Sequence, residues 1–190
     1  SRVIMLFDLD YFYAQVEEVR DPAISEKPVL VCVYSGRTQD SGVVSTANYI
    51  ARRYGVRSGM PIVLAKRKLK DVDSVFLPVD YDHYKTVSDR IMAILRRNAD
   101  TLEQVGIDEA YMDVTAKVEG SFPKAMELAA AVKKEVLAQE RLTASIGIGP
   151  NKLVAKIAAD VKKPDGITLV MPEDAVAFLS PLPVERLIGV

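Results

Sequence analysis

The order of apolar segments along this chain narrows its fold more than any other property. Residues 3–9 form a continuous apolar run ended by acids. Much later, 81–99 has the length of a long helix, 102–106 and 110–115 read as strands, 123–140 as a second helix and 142–148 as a further strand. On 123–140, Ala125, Leu128, Ala129, Val132 and Val136 share one helical face, the pattern of a side packed on a core. Joined to the first run, these segments spell β-α-β-β-α-β, an α/β (α+β) arrangement of the ferredoxin-like kind, with residues 11–79 inserted after the first strand.

That topology predicts where the acids gather. The crossover helix makes the second strand parallel to the first, and the third strand, antiparallel between them, starts beside the end of strand one. "IDEA" at 107–110, the turn before that third strand, then lands next to Asp8, so Asp8, Asp108 and Glu109 converge on one sheet edge. Clustered carboxylates resist ionising without a counter-charge. Hard oxygen donors with no His or Cys nearby favour Mg²⁺ over zinc. Two such ions form a known device for in-line phosphoryl transfer. The plainer alternative, Asp8 as a helix cap and Asp108 as a turn acid, fits either residue alone but not their convergence.

The first strand runs into "FDLDYFY". A phosphatase of the haloacid dehalogenase kind also ends an apolar strand in Asp-x-Asp, but needs small residues next, where this chain has Tyr11 and Phe12. Asp10 suits the N-cap of a short helix at 11–19, accepting a backbone N–H of the first turn. In the inserted segment, "PVLVCVY" at 28–34 reads as a buried strand and 35–42 as a loop. "TANYIARRYG" reads as a helix stopping at Gly55, "MPIVLAKRKL" as another helix and "SVFLPV" as a strand.

A length of 190 residues suits one substantial domain or one and a half. Hydrophobic residues make up 49% and charged residues 27%, and no apolar run approaches the ~18 to 20 residues of a membrane span. The single cysteine, Cys32, cannot form an internal disulfide and reads as a small buried hydrophobe, which makes a reducing cytoplasm the expected compartment. The net charge of −1 speaks against a generic nucleic-acid binder. Its distribution speaks the other way. From Ser41 to Lys70 there is no Asp or Glu, while Arg52, Arg53, Arg57, Lys66, Arg67, Lys68 and Lys70 fall inside, a window suited to phosphates.

Four stretches, "FDLDYFYAQVEEV", "CVYSGRTQDSGVVSTANYIARRYGVRSGMP", "GIDEAYMDV" and "GIGPNKLVAKIAADVKKPDG", occur in an order that resembles the Y-family, lesion-bypass DNA polymerases, in particular the archaeal members and bacterial DNA polymerase IV. The resemblance covers essentially the whole chain. It implies a polymerase palm from residues 1–10 and 80–166, a fingers insertion at 11–79, and an end of the palm at 167–190 leading toward a thumb and little finger beyond this chain. It implies template-directed addition of dNMP to a primer 3′-hydroxyl with two Mg²⁺ ions, at low fidelity and without proofreading. Asp8 and Asp108 would ligate both ions, Glu109 would complete the site nearest the primer, and Leu9 would lend its carbonyl. Thr46, Tyr49, Arg52 and Lys156 would hold the triphosphate. Tyr13 would be the steric gate against a ribose 2′-hydroxyl. Val33, Val43, Ser45 and Gly59 would roof the nascent base pair, their small side chains leaving space above a distorted template base. Primer-template DNA and a dNTP are the implied partners, a sliding clamp would be met through the missing C-terminal region, and no membrane is involved.

Two positions depart from the family pattern: Gly106, where Ser is common, and Asp80, where a basic residue is usual. The ending "VERLIGV" suggests a catalytic-core fragment. A nucleotidyl cyclase shares the palm topology and two-metal chemistry but does not require the basic window. An RNA-stacking sheet would carry aromatics on its central strands, where this chain has mostly Val, Ile, Leu and Met.

Overall fold

A computed structural model describes residues 1–187. In chain order the elements are β1 (Ile4–Leu9), α1 (Phe12–Arg20), β2 (Val29–Tyr34), β3 (Gly42–Ala47), α2 (Tyr49–Arg53), α3 (Ile62–Lys68), β4 (Val75–Pro78), α4 (Tyr81–Arg97), β5 (Thr101–Gln104), β6 (Glu109–Asp113), α5 (Phe122–Glu140), β7 (Ala144–Gly149), α6 (Lys152–Val161), β8 (Ile167–Leu169) and α7 (Ala175–Leu179). They fall into two compact units, Ser1–Asp10 with the residues from Lys85 onward, and Tyr11–Tyr84.

The first unit is built on a five-stranded sheet in the order β5-β6-β1-β7-β8, with β1 antiparallel to both β6 and β7. This is the β-α-β-β-α-β order that the apolar segments predict, with β8 added parallel to β7. Side chains alternate across a strand, so Ile4, Leu6 and Asp8 share one face of β1. Ile4 and Leu6 pack on Ala155 and Ala159, which places α6 over the face that carries Asp8.

Two glycines of β7 make that approach possible. Gly147 lies opposite Leu6 and Gly149 opposite Ile4. A Cβ on Gly147 would overlap the Ala155 carbonyl and the Ala159 N–H, and one on Gly149 would press on Val154. The helix can therefore lie directly against the strand, with its first turn capped by Asn151, whose side chain accepts from the Val154 N–H at 2.9 Å. The other face of α6 buries Val154 and Ala158 against Val170, Phe178 and Leu179. α5 behaves as its periodicity predicts, burying Ala125, Ala129, Val132 and Val136, with Leu128 half-buried.

In the second unit, a sheet in the order β3-β2-β4 covers a core of Leu30, Cys32, Val44, Ala47, Ala51, Ile62, Ala65 and Leu69. Burial pushes the Cys32 thiol up to about 11, keeping it a protonated, apolar filler. The sequence expectation needs correction here. Thr46 and Ala47 belong to β3 and not to a helix, and the helix runs only from Tyr49 to Arg53. Buried Asn48 makes the break: its Oδ1 accepts from the Val29 N–H at 3.1 Å and from the Ala51 N–H at 2.9 Å, ending one element and capping the next.

Asp10 is a second correction. The residue at the cap position of α1 is Tyr11, in the left-handed region at φ 32°. Asp10 itself is buried, and its carboxylate accepts from Ser145 Oγ at 2.7 Å, Thr143 Oγ1 at 2.8 Å and the Asp165 N–H at 2.9 Å. It ties the end of β1 to β7 and to the loop before β8.

Asp80, one of the two departures, forms an ion pair with Arg20 at 2.9 Å and accepts from the His83 N–H at the start of α4. Arg20 first, then that N–H, holds its carboxyl below the usual range. It thereby ties the end of α1 to the start of α4.

Candidate active site

The ladder between β1 and β6 pairs Asp8 directly with Glu109, and the Leu9 N–H donates to the Asp108 carbonyl at 2.9 Å. The three acids one hundred positions apart thus meet at one end of the sheet, as the strand order requires. The turn that presents them is tightly bonded: the Val105 and Gly106 N–H groups both donate to the Glu109 carbonyl at 3.2 Å, and Ser88 Oγ donates to the Ile107 carbonyl from α4. At Gly106 a Cβ would stand 3.2 Å from Asp108 Oδ1 and from Glu109 Cγ, so the glycine relieves crowding at the acid pair.

Burial dominates the electrostatics. It raises the Asp8 carboxyl to about 6, with Lys163 opposing and the charges of Asp108 and Glu109 adding to the rise. Asp108 is raised for the same first reason, with Glu109 adding to it. Two lysines answer this concentration of negative charge. Lys163 Nζ lies 2.6 Å from Asp8 Oδ2, and Lys156 Nζ lies 2.6 Å from Glu109 Oε2. For Lys163 burial pulls the ammonium down, and Asp8 and Asp160 more than reverse it; for Lys156 Glu109 does the same.

Among the described residues no three His, Cys, Asp or Glu side chains stand as a ready-formed metal cage. The donor set nonetheless fits a hard divalent cation. It consists of carboxylates alone, two of them held above their ordinary range by burial and mutual repulsion, the strain that a bound cation relieves.

Lys163 was not among the residues singled out from the sequence. A lysine beside a proline in a polar stretch carries no distinguishing signal. Only the fold, which brings α6 and the loop after it across the Asp8 face, gives it a partner 155 positions away.

The other expected residues lie in the second unit. Tyr49 opens α2, with the Arg52 guanidinium 4.6 Å above its ring, and Arg52 Nε donates to the Ala47 carbonyl at 2.9 Å. Both line a cavity of about 630 Å³ together with Arg53, Arg57 and Ser58. Thr46, on β3, pairs with Val31 of β2. Val33 and Val43 are partners across β2 and β3, the Gly59 N–H donates to the Val44 carbonyl, and Ser45 is the extra residue where the register shifts. Val43 is exposed. Tyr13 is half-buried and stacks on Tyr84, with centroids 4.4 Å apart and planes at 16°, while Tyr81 meets its edge at 6.0 Å. Tyr84 is fully buried and its hydroxyl donates to Glu17 Oε1 at 2.7 Å, so the ring under Tyr13 is fixed at both ends.

One unit carries three acids at the β1–β6 edge of its five-stranded sheet, and the inserted α/β unit carries an arginine-lined cavity, the features of a Y-family polymerase fold. The chain belongs to the impB/mucB/samB family, whose model matches residues 7–160. It is 50% identical over 191 residues to a DNA polymerase IV of Nitrosopumilus maritimus and 52% identical over 196 residues to a DNA polymerase IV of Methanosarcina acetivorans, in each case across 100% of this chain. It spans about half the length of these curated relatives, 52% and 53%. Among solved structures, the insertion ternary complex of Dbh DNA polymerase matches at TM-score 0.94 with 45% identity, and DinB from Sulfolobus solfataricus at 0.92 with 44%. Each covers 99% of this chain and 54% of the other. Family membership displaces the cyclase and phosphatase readings. Among the described residues no helix is long and apolar enough to cross a membrane.

Proposed function

We propose that this chain is the palm and fingers of a lesion-bypass DNA polymerase, which extends a primer 3′-hydroxyl with dNMP on a DNA template. The observation that carries the reading is the convergence of Asp8, Asp108 and Glu109 on one sheet edge in a chain half identical to proteins named DNA polymerase IV. Members of this family depend on metal. The finer assignment is two Mg²⁺ ions, with Asp8 and Asp108 as shared ligands, Glu109 on the ion nearest the primer and the Leu9 carbonyl as a backbone ligand. Bound there, Mg²⁺ would lower the pKa of the primer hydroxyl and neutralise the leaving diphosphate.

The chain's own residues do the rest. With its carboxyl raised to about 6, Asp8 is mostly ionised at neutral pH. Lys156 and Lys163, both charged, offer N–H donors to phosphate oxygens once their carboxylates are engaged elsewhere. Thr46, Tyr49 and Arg52 offer a hydroxyl, a phenol and a fixed cation on the fingers, where the acid-free window leaves phosphate the natural counter-ion. Tyr13, braced by Tyr84 and Tyr81, is suited to refuse a 2′-hydroxyl because its own supports leave it little room to yield. Val33, Val43, Ser45 and Gly59 present small groups toward the base pair, consistent with tolerance of damaged templates. Thumb and little finger, on this reading, follow in the rest of the protein and carry most of the DNA grip and any clamp contact.

Primer extension by the intact protein tests the reading. Asp108→Ala should lower the rate by several orders of magnitude, and appreciable residual synthesis would remove Asp108 from the metal site. Tyr13→Ala should admit ribonucleotides. Unchanged selection between dNTP and rNTP would return Tyr13 to a packing role alone.

A further inference from the structure

Lys163 is held by two acids, not one. Its Nζ lies 2.6 Å from Asp8 Oδ2 and 3.0 Å from Asp160 Oδ1. An ammonium has three N–H donors, so both contacts are satisfied together. The two acids differ in what surrounds them. The Asp8 side chain is 13% exposed among two further carboxylates, whereas Asp160 stands in the last turn of α6, three residues before Lys163, and is 44% exposed.

We infer that Asp160 is a positioning residue that takes over the Lys163 ammonium when a divalent cation occupies Asp8. The inference rests on the metal reading of Asp8 given above. A lysine ammonium and a metal ion cannot share one carboxylate oxygen without strong repulsion. The side chain of Lys163 is only 27% exposed, so release into water is restricted. Asp160 offers a carboxylate already within contact, and the exchange needs only that Lys163 let go of one partner. The loop that follows is fixed independently, by Asp10 on the Asp165 N–H and by Lys133 on the Asp165 carboxylate at 2.8 Å, so Lys163 moves by its side chain while its backbone stays. Without Asp160 the lysine has one carboxylate left, the same one the cation requires.

Mn²⁺ binding to the intact protein without nucleotide, followed by the electron paramagnetic resonance of free Mn²⁺, reads this directly. Asp160→Asn should weaken Mn²⁺ binding about tenfold, and Lys163→Ala should strengthen it by removing the competitor. In the Lys163→Ala background, Asp160→Asn should change nothing beyond about twofold, the non-additivity expected of residues acting through one another. Equal weakening in both backgrounds would mean that Asp160 acts through its distant charge alone and would overturn the inference, as would no effect in either. Asp8→Ala separates the two levels: if it leaves Mn²⁺ binding intact, the metal reading of Asp8 fails and the exchange fails with it. If Asp8→Ala abolishes binding while Asp160→Asn has no effect, only the exchange fails. Unchanged thermal melting of Asp160→Asn in EDTA confirms that the fold is retained.

Discussion

Replacing Asp8 by Asn should make the metal-free protein more stable. In the folded chain the carboxyl is raised from the ordinary aspartate value of 3.8 to about 6, chiefly by burial. At about 1.4 kcal/mol per pH unit that difference amounts to about 3 kcal/mol of destabilisation once Asp8 is ionised. The Asn variant gives up the Lys163 contact, but Lys163 keeps Asp160 at 3.0 Å, so a net gain of about 1 to 3 kcal/mol remains at pH 7. The sign follows from linkage. A group whose folded pKa is raised contributes stability that is complete below about pH 4 and is lost as pH rises through about 6. Wild type therefore falls behind the variant across that window, and the difference is flat above about pH 7. Urea denaturation in EDTA from about pH 4 to about pH 8 measures it, and thermal melting should rise by about 2 to 4 °C per kcal/mol. A variant less stable than wild type at pH 7.5, or a difference that does not change with pH, would refute the reasoning. The same substitution removes a metal ligand, so stability would be gained where activity is lost.

Two further substitutions probe the frame around the site. Asp10→Ala leaves the buried Ser145 Oγ and the Asp165 N–H without this acceptor; at about 1 to 3 kcal/mol for the buried hydroxyl, chemical denaturation should report a loss of about 1 to 3 kcal/mol, and a loss below about 0.5 kcal/mol would deny the tie. Gly147→Ala forces a Cβ into the backbone of α6, and overpacking of this kind costs about 1 to 3 kcal/mol or more. Its effect should be larger than that of Gly120→Ala, where the space is open although φ is +70°.

The outline of the first unit was legible because each long-range pairing there follows from a local signal. Apolar runs and helical faces gave the strand order, and the strand order gave the meeting of Asp8 with Asp108 and Glu109. β3 was not legible. Its residues, "GVVSTA", are small and partly polar, the register shifts at Ser45, and the following Tyr-Ile-Ala-Arg-Arg imposes a helical spacing that masks Asn48 as the break. β8, three residues long, was too short to carry a pattern. Asp10 looked like a cap because caps are local. Its partners Thr143, Ser145 and Asp165 lie 133 to 155 positions away, and nothing in the spacing of a single sequence announces them. Lys163 was hidden for the same reason, since its chemistry comes entirely from where α6 ends.

Anomalous diffraction from crystals of the intact protein with Mn²⁺ and a non-hydrolysable dNTP tests the central claim most directly. The account predicts Mn²⁺ bonded at about 2.1 Å to oxygens of both Asp8 and Asp108, with Lys163 withdrawn from Asp8. Ions bound elsewhere, with Lys163 still on Asp8 and Lys156 still on Glu109, would contradict it.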